Sequence, residues 1–197
     1  IGVLLDVVLN HTAEGGADGP VLNFKGLMPG EFYHRDGNAF RDYTGCGNTI
    51  NTNHPLVTRL IVQTLRIWAE ERHVDGFRFD LASVFVRGSD GAPLDQPPSP
   101  WAIEEALPGT PLIAEPWDAA GLYNVGNFPG LAWSEWNGRY RDAMRRFLRG
   151  EPGLTGEIAT CLAGSSDLYA ASDRRPVHSV NYVTCHDGFT LNDLVSY

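Results

Sequence analysis

Lysine is almost missing from this sequence: of 15 lysines and arginines, only Lys25 is a lysine, and the net charge is −9 over 197 residues. That acidic balance argues against bulk binding to nucleic acid or to an anionic membrane surface. Cysteine is scarce too. Cys46, Cys161 and Cys185 form no paired or metal-ligand spacing. They fit reduced thiols in a reducing compartment, and the cytoplasm is the expected location. No apolar run approaches the roughly 18 residues of a membrane helix, and no signal-peptide pattern opens the chain. Internal repeats and low-complexity tails are absent. With 43% hydrophobic and 20% charged residues, the chain can bury a core, which excludes disorder. Length is short as well: a complete eight-stranded α/β barrel takes roughly 250 residues. The chain opens at Ile1 rather than Met and ends in the apolar run Leu194-Val195-Ser196-Tyr197. Either the fold is smaller than a barrel, or the chain is a piece of something longer.

Four short apolar runs are present, each ending in polar residues. Val3 to Leu9 ends in Asn10-His11, and Val74 to Phe79 ends in Asp80. Leu112 to Ala114 ends in Glu115, and Val180 to Cys185 ends in His186-Asp187. Runs this short, rich in β-branched and aromatic residues, read as strands, and strands apolar on both faces suit a helix-covered parallel sheet. Helical repeats lie between them. Leu56 to Arg72 carries Val57, Leu60, Ile61, Leu65 and Trp68 at a period near 3.6, with Pro55 at its start. Trp136 to Arg149 carries Trp136, Tyr140, Ala143, Met144, Phe147 and Leu148, and Gly150 and Pro152 stop it. Trp101 to Leu107 is a shorter helix, and Leu131 to Ser134 a brief strand. The alternation predicts an α/β fold with parallel strands. Residues 12–55, dense in Gly, Asn, Asp and Pro, predict a functional loop or small subdomain.

In such a fold the active site lies beyond the C-terminal strand ends. Asn10, His11, Asp80, Glu115, His186 and Asp187 would converge there. Arg78 and Asp80 share one strand face, so the guanidinium would keep Asp80 ionised, and Phe77 and Phe79 would face the helices. Clustered carboxylates with an Arg and two His suit acid–base or nucleophilic work on an uncharged substrate. Glycoside hydrolysis needs such a pair of carboxyl groups. Metal-assisted hydrolysis stays open on spacing alone, although no H-x-x-x-H or H-E-x-x-H pair supports it.

The segments themselves resemble a known family. Asp6-Val7-Val8-Leu9-Asn10-His11, Gly76-Phe77-Arg78-Phe79-Asp80, Ile113-Ala114-Glu115-Pro116-Trp117-Asp118 and Val183-Thr184-Cys185-His186-Asp187-Gly188 resemble, in order, the four signature segments of the α-amylase family, glycoside hydrolase family thirteen. The resemblance spans nearly the whole chain. It implies a partial (β/α)8 barrel holding roughly the third to seventh strands, with residues 1–197 as the central part of one catalytic domain.

The resemblance also implies roles. Asp80 matches the nucleophile, Glu115 the general acid and later base, and Asp187 the third carboxylate that binds sugar hydroxyls. Arg78 matches the arginine that keeps the nucleophile ionised, and Asp6, His11 and His186 match residues lining the sugar site. Glu115 should then titrate high and Asp80 low. Their carboxyl groups should stand about 5–5.5 Å apart, the retaining geometry. Thr44 to Asn51 with Asn53-His54-Pro55, Glu115-Pro116-Trp117-Asp118, Val125 to Pro129, and Glu135-Trp136-Asn137 resemble isoamylases and bacterial glycogen debranching enzymes. This branch implies cleavage of α-1,6 bonds in a branched α-glucan such as glycogen, with no cofactor and no metal site. An α-1,4-active amylase or transglycosylase, or a non-catalytic carbohydrate-binding or scaffold protein, are the rival readings. The isolated chain is expected to be inactive.

Trp117, Tyr43 and Trp133 have aromatic faces that could stack on sugar rings or simply pack. Trp68 and Trp136 are expected in the core, as is Cys185. His34, His54, His73 and His178 are expected at surface or cap positions.

Overall fold

Three of the four apolar runs form neighbouring parallel strands in the computed structural model, which describes residues 1–196. Tyr197 lies outside the described residues. Strand β1 is Leu4–Val7, β2 is Gly76–Phe79 and β3 is Leu112–Ala114. Asp6 lies opposite Arg78, and Arg78 opposite Ile113. Side chains alternate along a strand, so the polar pair shares one face and Phe77 and Phe79 take the other. Both phenylalanines are fully buried, and Phe79 meets Phe85 and Trp133 edge-on at 5.7 and 4.7 Å. Gly76 opens β2 where a Cβ would stand 2.7 Å from the Pro111 carbonyl oxygen. No larger residue fits against that neighbouring backbone.

Helix α1, Pro55–Arg66, starts on proline, whose fixed φ and missing N–H suit a first turn. Val57, Ile61 and Leu65 are buried against the sheet, each stabilising the fold by about 2 kcal/mol. Two members of the expected stripe leave it: Leu60 is 38% exposed and Trp68 43% exposed. The helix runs on into a π-turn, Ile67–Glu71, and that wider turn carries Trp68 off the buried face. Helix α2, Pro98–Ala106, buries Ile103 in the same core.

The stretch 12–55 carries its own order. A two-stranded antiparallel ribbon pairs Arg35–Asp36 with Ala39–Phe40. Glu14 is buried and accepts the main-chain N–H groups of Leu22, Asn23 and Lys25 and the hydroxyl of Tyr33. Burial pushes this carboxyl up, but those donors outweigh it and hold it down to about 2. Lys25, the one lysine, sends its ammonium to the carbonyls of Glu14, Gly16 and Gly19. It is therefore an internal staple rather than a surface charge. His34 departs from its expected surface position: it is fully buried beside the Tyr43 ring, and burial lowers its imidazole to about 4.

These elements make up one of two compact units, Ile1–Asn124 with Phe128–Trp133. Among the described residues β1 pairs only with β2, and Val3, Leu4 and Val8 are about half exposed. Such an apolar, unpaired edge is a template for further pairing. The 197-residue chain alone is expected to self-associate, and Val8→Lys to raise its monomer fraction, as measured by light scattering on a sizing column. A monodisperse monomer with Val8 intact contradicts this.

The other unit is Val125–Asn127 with Ser134–Tyr197. Strand β4, Trp133–Trp136, pairs in parallel with β5, Ser179–Val180, through Glu135 opposite Ser179 and Trp136 opposite Val180. The brief strand expected at Leu131 to Ser134 thus runs two residues later. The helix expected from Trp136, α3, spans Gly138–Leu148, because Asn137 caps it by accepting the Tyr140 N–H at 2.9 Å. Ala143 packs on Leu154, Ile158 and Cys161, the last two from helix α4, Thr155–Leu162. Phe147 and Leu148 face out instead. The fourth apolar run is strand only at its start. The ladder stops where the Asn137 N–H meets the Val180 carbonyl, since β4 has already turned into α3. Cys185 is therefore only half-buried.

Candidate active site

The ends of β1, β2 and β3 bring three carboxyl groups onto one arginine. Arg78 is 5% exposed and reaches Asp6 at 2.7 Å and Asp80 at 3.0 Å through Nη1, and Glu115 at 2.6 Å through Nη2. The main chain fixes the spacing. The Asp80 N–H bonds to the Val7 carbonyl, the Glu115 N–H to the Phe79 carbonyl, and the Ala82 N–H to the Glu115 carbonyl. Leu81, between these ties, has φ +42° and ψ +50°. A left-handed leucine costs about 1–2 kcal/mol and persists only where its surroundings impose it. Here the turn aims the Leu81 N–H at Glu115 Oε2, 2.9 Å away.

Electrostatics separates the two central carboxyls. Burial raises Glu115, Asp80 beside it raises it further, and together they outweigh the Leu81 N–H and Arg78, leaving it at about 7. Arg78 Nη2 and the Leu81 N–H both meet Oε2. Burial pushes Asp80 up as well, but the Asn10 amide, the Glu115 carboxyl and Arg78 outweigh it and hold it below its ordinary value. Each carboxyl bears on the other: Asp80 raises Glu115, and Glu115 lowers Asp80. One carboxyl near 7 beside one held ionised is the arrangement acid–base work requires.

Other residues gather around this centre. Asn10 is fully buried and donates from Nδ2 to the Asp80 main-chain oxygen at 2.8 Å and to Asp80 Oδ2 at 2.9 Å. The His11 Nδ1 lies 2.5 Å from Asn10 Oδ1. The sequence places Asn10 among the strand-end residues that converge on the site, but its bond to Asp80, 70 residues away, leaves no local signal. Trp117 follows Glu115 and stacks on Tyr123 with ring centroids 5.9 Å apart. Asp118 is buried on Arg87 at 2.6 Å, and the Arg87 guanidinium covers one face of Tyr43 at 4.0 Å. Trp133 offers no sugar platform: it is fully buried on Phe79 and Phe128.

His186 and Asp187 belong to the second unit. They face each other at 3.6 Å with side chains 51% and 72% exposed, and the His186 ring lies 5.9 Å from Trp136. Trp136 is half-buried there against Tyr182 rather than in a closed core.

No protein-family model matches the chain. Among curated proteins it is 52% identical over 204 residues to the chloroplastic isoamylase 3 of Oryza sativa subsp. japonica, covering all of this chain and 26% of that protein. It is 46% identical over 203 residues to the glycogen debranching enzyme of Cronobacter sakazakii, covering all of this chain and 30% of that protein. Among solved structures, the pullulanase from Bacillus acidopullulyticus superposes with a TM-score of 0.78 at 29% identity, covering 99% of this chain and 25% of that one. The α/β fold is therefore part of a (β/α)8 barrel. Over its whole length the chain is similar to isoamylases and glycogen debranching enzymes, and it spans about a quarter to a third of the length of the curated relatives it matches.

Proposed function

We propose that the protein carrying this chain is a retaining glycoside hydrolase that cleaves α-1,6 branch bonds of glycogen or a related α-glucan. Residues 1–197 are the central part of its catalytic barrel, with 12–55 as a loop or small subdomain. The observation that carries this reading is the Arg78-bridged pair: one guanidinium holds both carboxyls, with Asp80 kept below its ordinary value and Glu115 raised to about 7. Sharing one guanidinium keeps the two carboxyls near each other, which supports the retaining arrangement over an inverting pair at about 6.5–9.5 Å. Asp80 attacks the anomeric carbon while Glu115 protonates the leaving glycosidic oxygen; Glu115 then takes a proton from the water that hydrolyses the ester. Asp6, His11, His186 and Trp117 contact the sugar, and Asp187 holds its hydroxyls. The names of the relatives support a branched α-glucan as substrate. The three free thiols support a reducing compartment, here the cytoplasm. No helix among the described residues is long and apolar enough to cross a membrane.

Glu115→Gln in the full-length protein tests the acid. Release of linear chains from glycogen should fall about 10²–10⁴-fold. Formation of the glycosyl-enzyme from α-maltosyl fluoride, whose leaving group needs no proton, should fall far less. The neutral limb of the pH profile, near 7, should disappear. Equal losses on both substrates would remove Glu115 from the acid role, and wild-type protein that releases no linear chains would exclude debranching.

A further inference from the structure

We infer that Asn10 is a positioning residue that clamps Asp80 as the nucleophile, with His11 setting the clamp's direction. The inference rests on the nucleophile assignment above. The two Nδ2 hydrogens of Asn10 are both spent on one residue, at the Asp80 main-chain oxygen and at Asp80 Oδ2. Arg78 takes the other carboxylate oxygen, Oδ1. With one donor on each oxygen the carboxylate cannot swing about its last torsion, and its attacking face is set before substrate arrives.

The direction of the amide matters equally. Turned over, Asn10 would set its own oxygen against two acceptors. A donor at His11 Nδ1, 2.5 Å from Asn10 Oδ1, prevents that and requires the proton on Nδ1. Behind the amide, the Asn10 carbonyl accepts the Ile50 N–H at 2.8 Å. The 12–55 stretch thus holds the residue that holds the nucleophile. Being fully buried, Asn10 has no freedom to serve a second role at the surface.

The test uses the full-length protein and 5-fluoro-α-maltosyl fluoride. An Asp80 oxygen bonds to the anomeric carbon, fluoride leaves with the electron pair, and the trapped ester is read by mass spectrometry. Asn10→Asp keeps the volume but replaces the donor with an acceptor; Asn10→Ser keeps one donor at shorter reach. The Asp variant should be labelled about 10–100-fold more slowly, with the acid limb of its labelling profile moved to higher pH and its sugar affinity unchanged. The Ser variant should fall between. A merely structural asparagine would lower the folded fraction without moving that limb. Equal labelling rates and limbs in wild type and folded Asp variant would overturn the inference alone, as would failure of both variants to fold. Wild-type protein never labelled at Asp80 would overturn the nucleophile assignment and the inference with it.

Discussion

Asp80→Asn in the full-length protein is expected to cut glucan hydrolysis by at least about 10⁴-fold while leaving glucan binding within a few-fold. The loss is chemical, because an amide neither attacks the anomeric carbon nor stabilises an oxocarbenium ion. The fold should survive, since Arg78 keeps Asp6 at 2.7 Å and Glu115 at 2.6 Å. A second consequence follows from the coupling. Part of the rise of Glu115 to about 7 comes from the Asp80 charge. With the charge gone, Glu115 should titrate lower, still above an ordinary carboxyl because burial remains. Calorimetric titration with a linear maltooligosaccharide checks the binding, and a pH titration of the variant checks the shift. Residual hydrolysis above about one part in a hundred would remove Asp80 as the nucleophile.

Four of the site residues were legible for one physical reason. Short parallel strands alternate their faces, so Asp6, Arg78 and Asp80 had to share a side once β1 and β2 were recognised, and the end of β3 had to place Glu115 beside them. Where that regularity stops, legibility stops. The Asn10 clamp joins residues 70 apart, and a strand-end asparagine looks the same as turn or ligand. The Leu81 turn is imposed by its surroundings, against the preference of leucine, so no local pattern announces it. Trp133 and Trp117 are both aromatic neighbours of strand ends. Only packing separates the one sealed beneath Phe128 from the one stacked on Tyr123. Trp68 misled because a helical stripe assumes 3.6 residues per turn, and the chain widens to a π-turn there. Lys25, isolated by composition, gave no hint of the carbonyls it joins.

Arg78→Met should destabilise the protein by about 3–5 kcal/mol at pH 8, because it strands carboxyl groups that share one buried cation. The loss should shrink in acid. In wild type, Asp80 is depressed, so its contribution is present above the unfolded value near 3.8 and is lost as pH falls through the lower folded value. Glu115 is raised, so its contribution is full below about 4.5 and is lost as pH rises through about 7. Removing the guanidinium raises both groups. The Asp80 contribution then changes sign, becoming one that is lost on the alkaline side, and Glu115 loses its charged form's main partner. The gap in melting temperature between wild type and variant should therefore widen steadily from pH 5 to pH 8. A gap that is constant over that range would mean that Arg78 acts by packing alone. Arg78→Lys separates charge from geometry. An ammonium restores the buried positive charge, so much of the stability should return, but it cannot span Asp6, Asp80 and Glu115 as a planar fork does. Hydrolysis should stay at least about 10³-fold down, since Asp80 Oδ1 loses the donor that orients it.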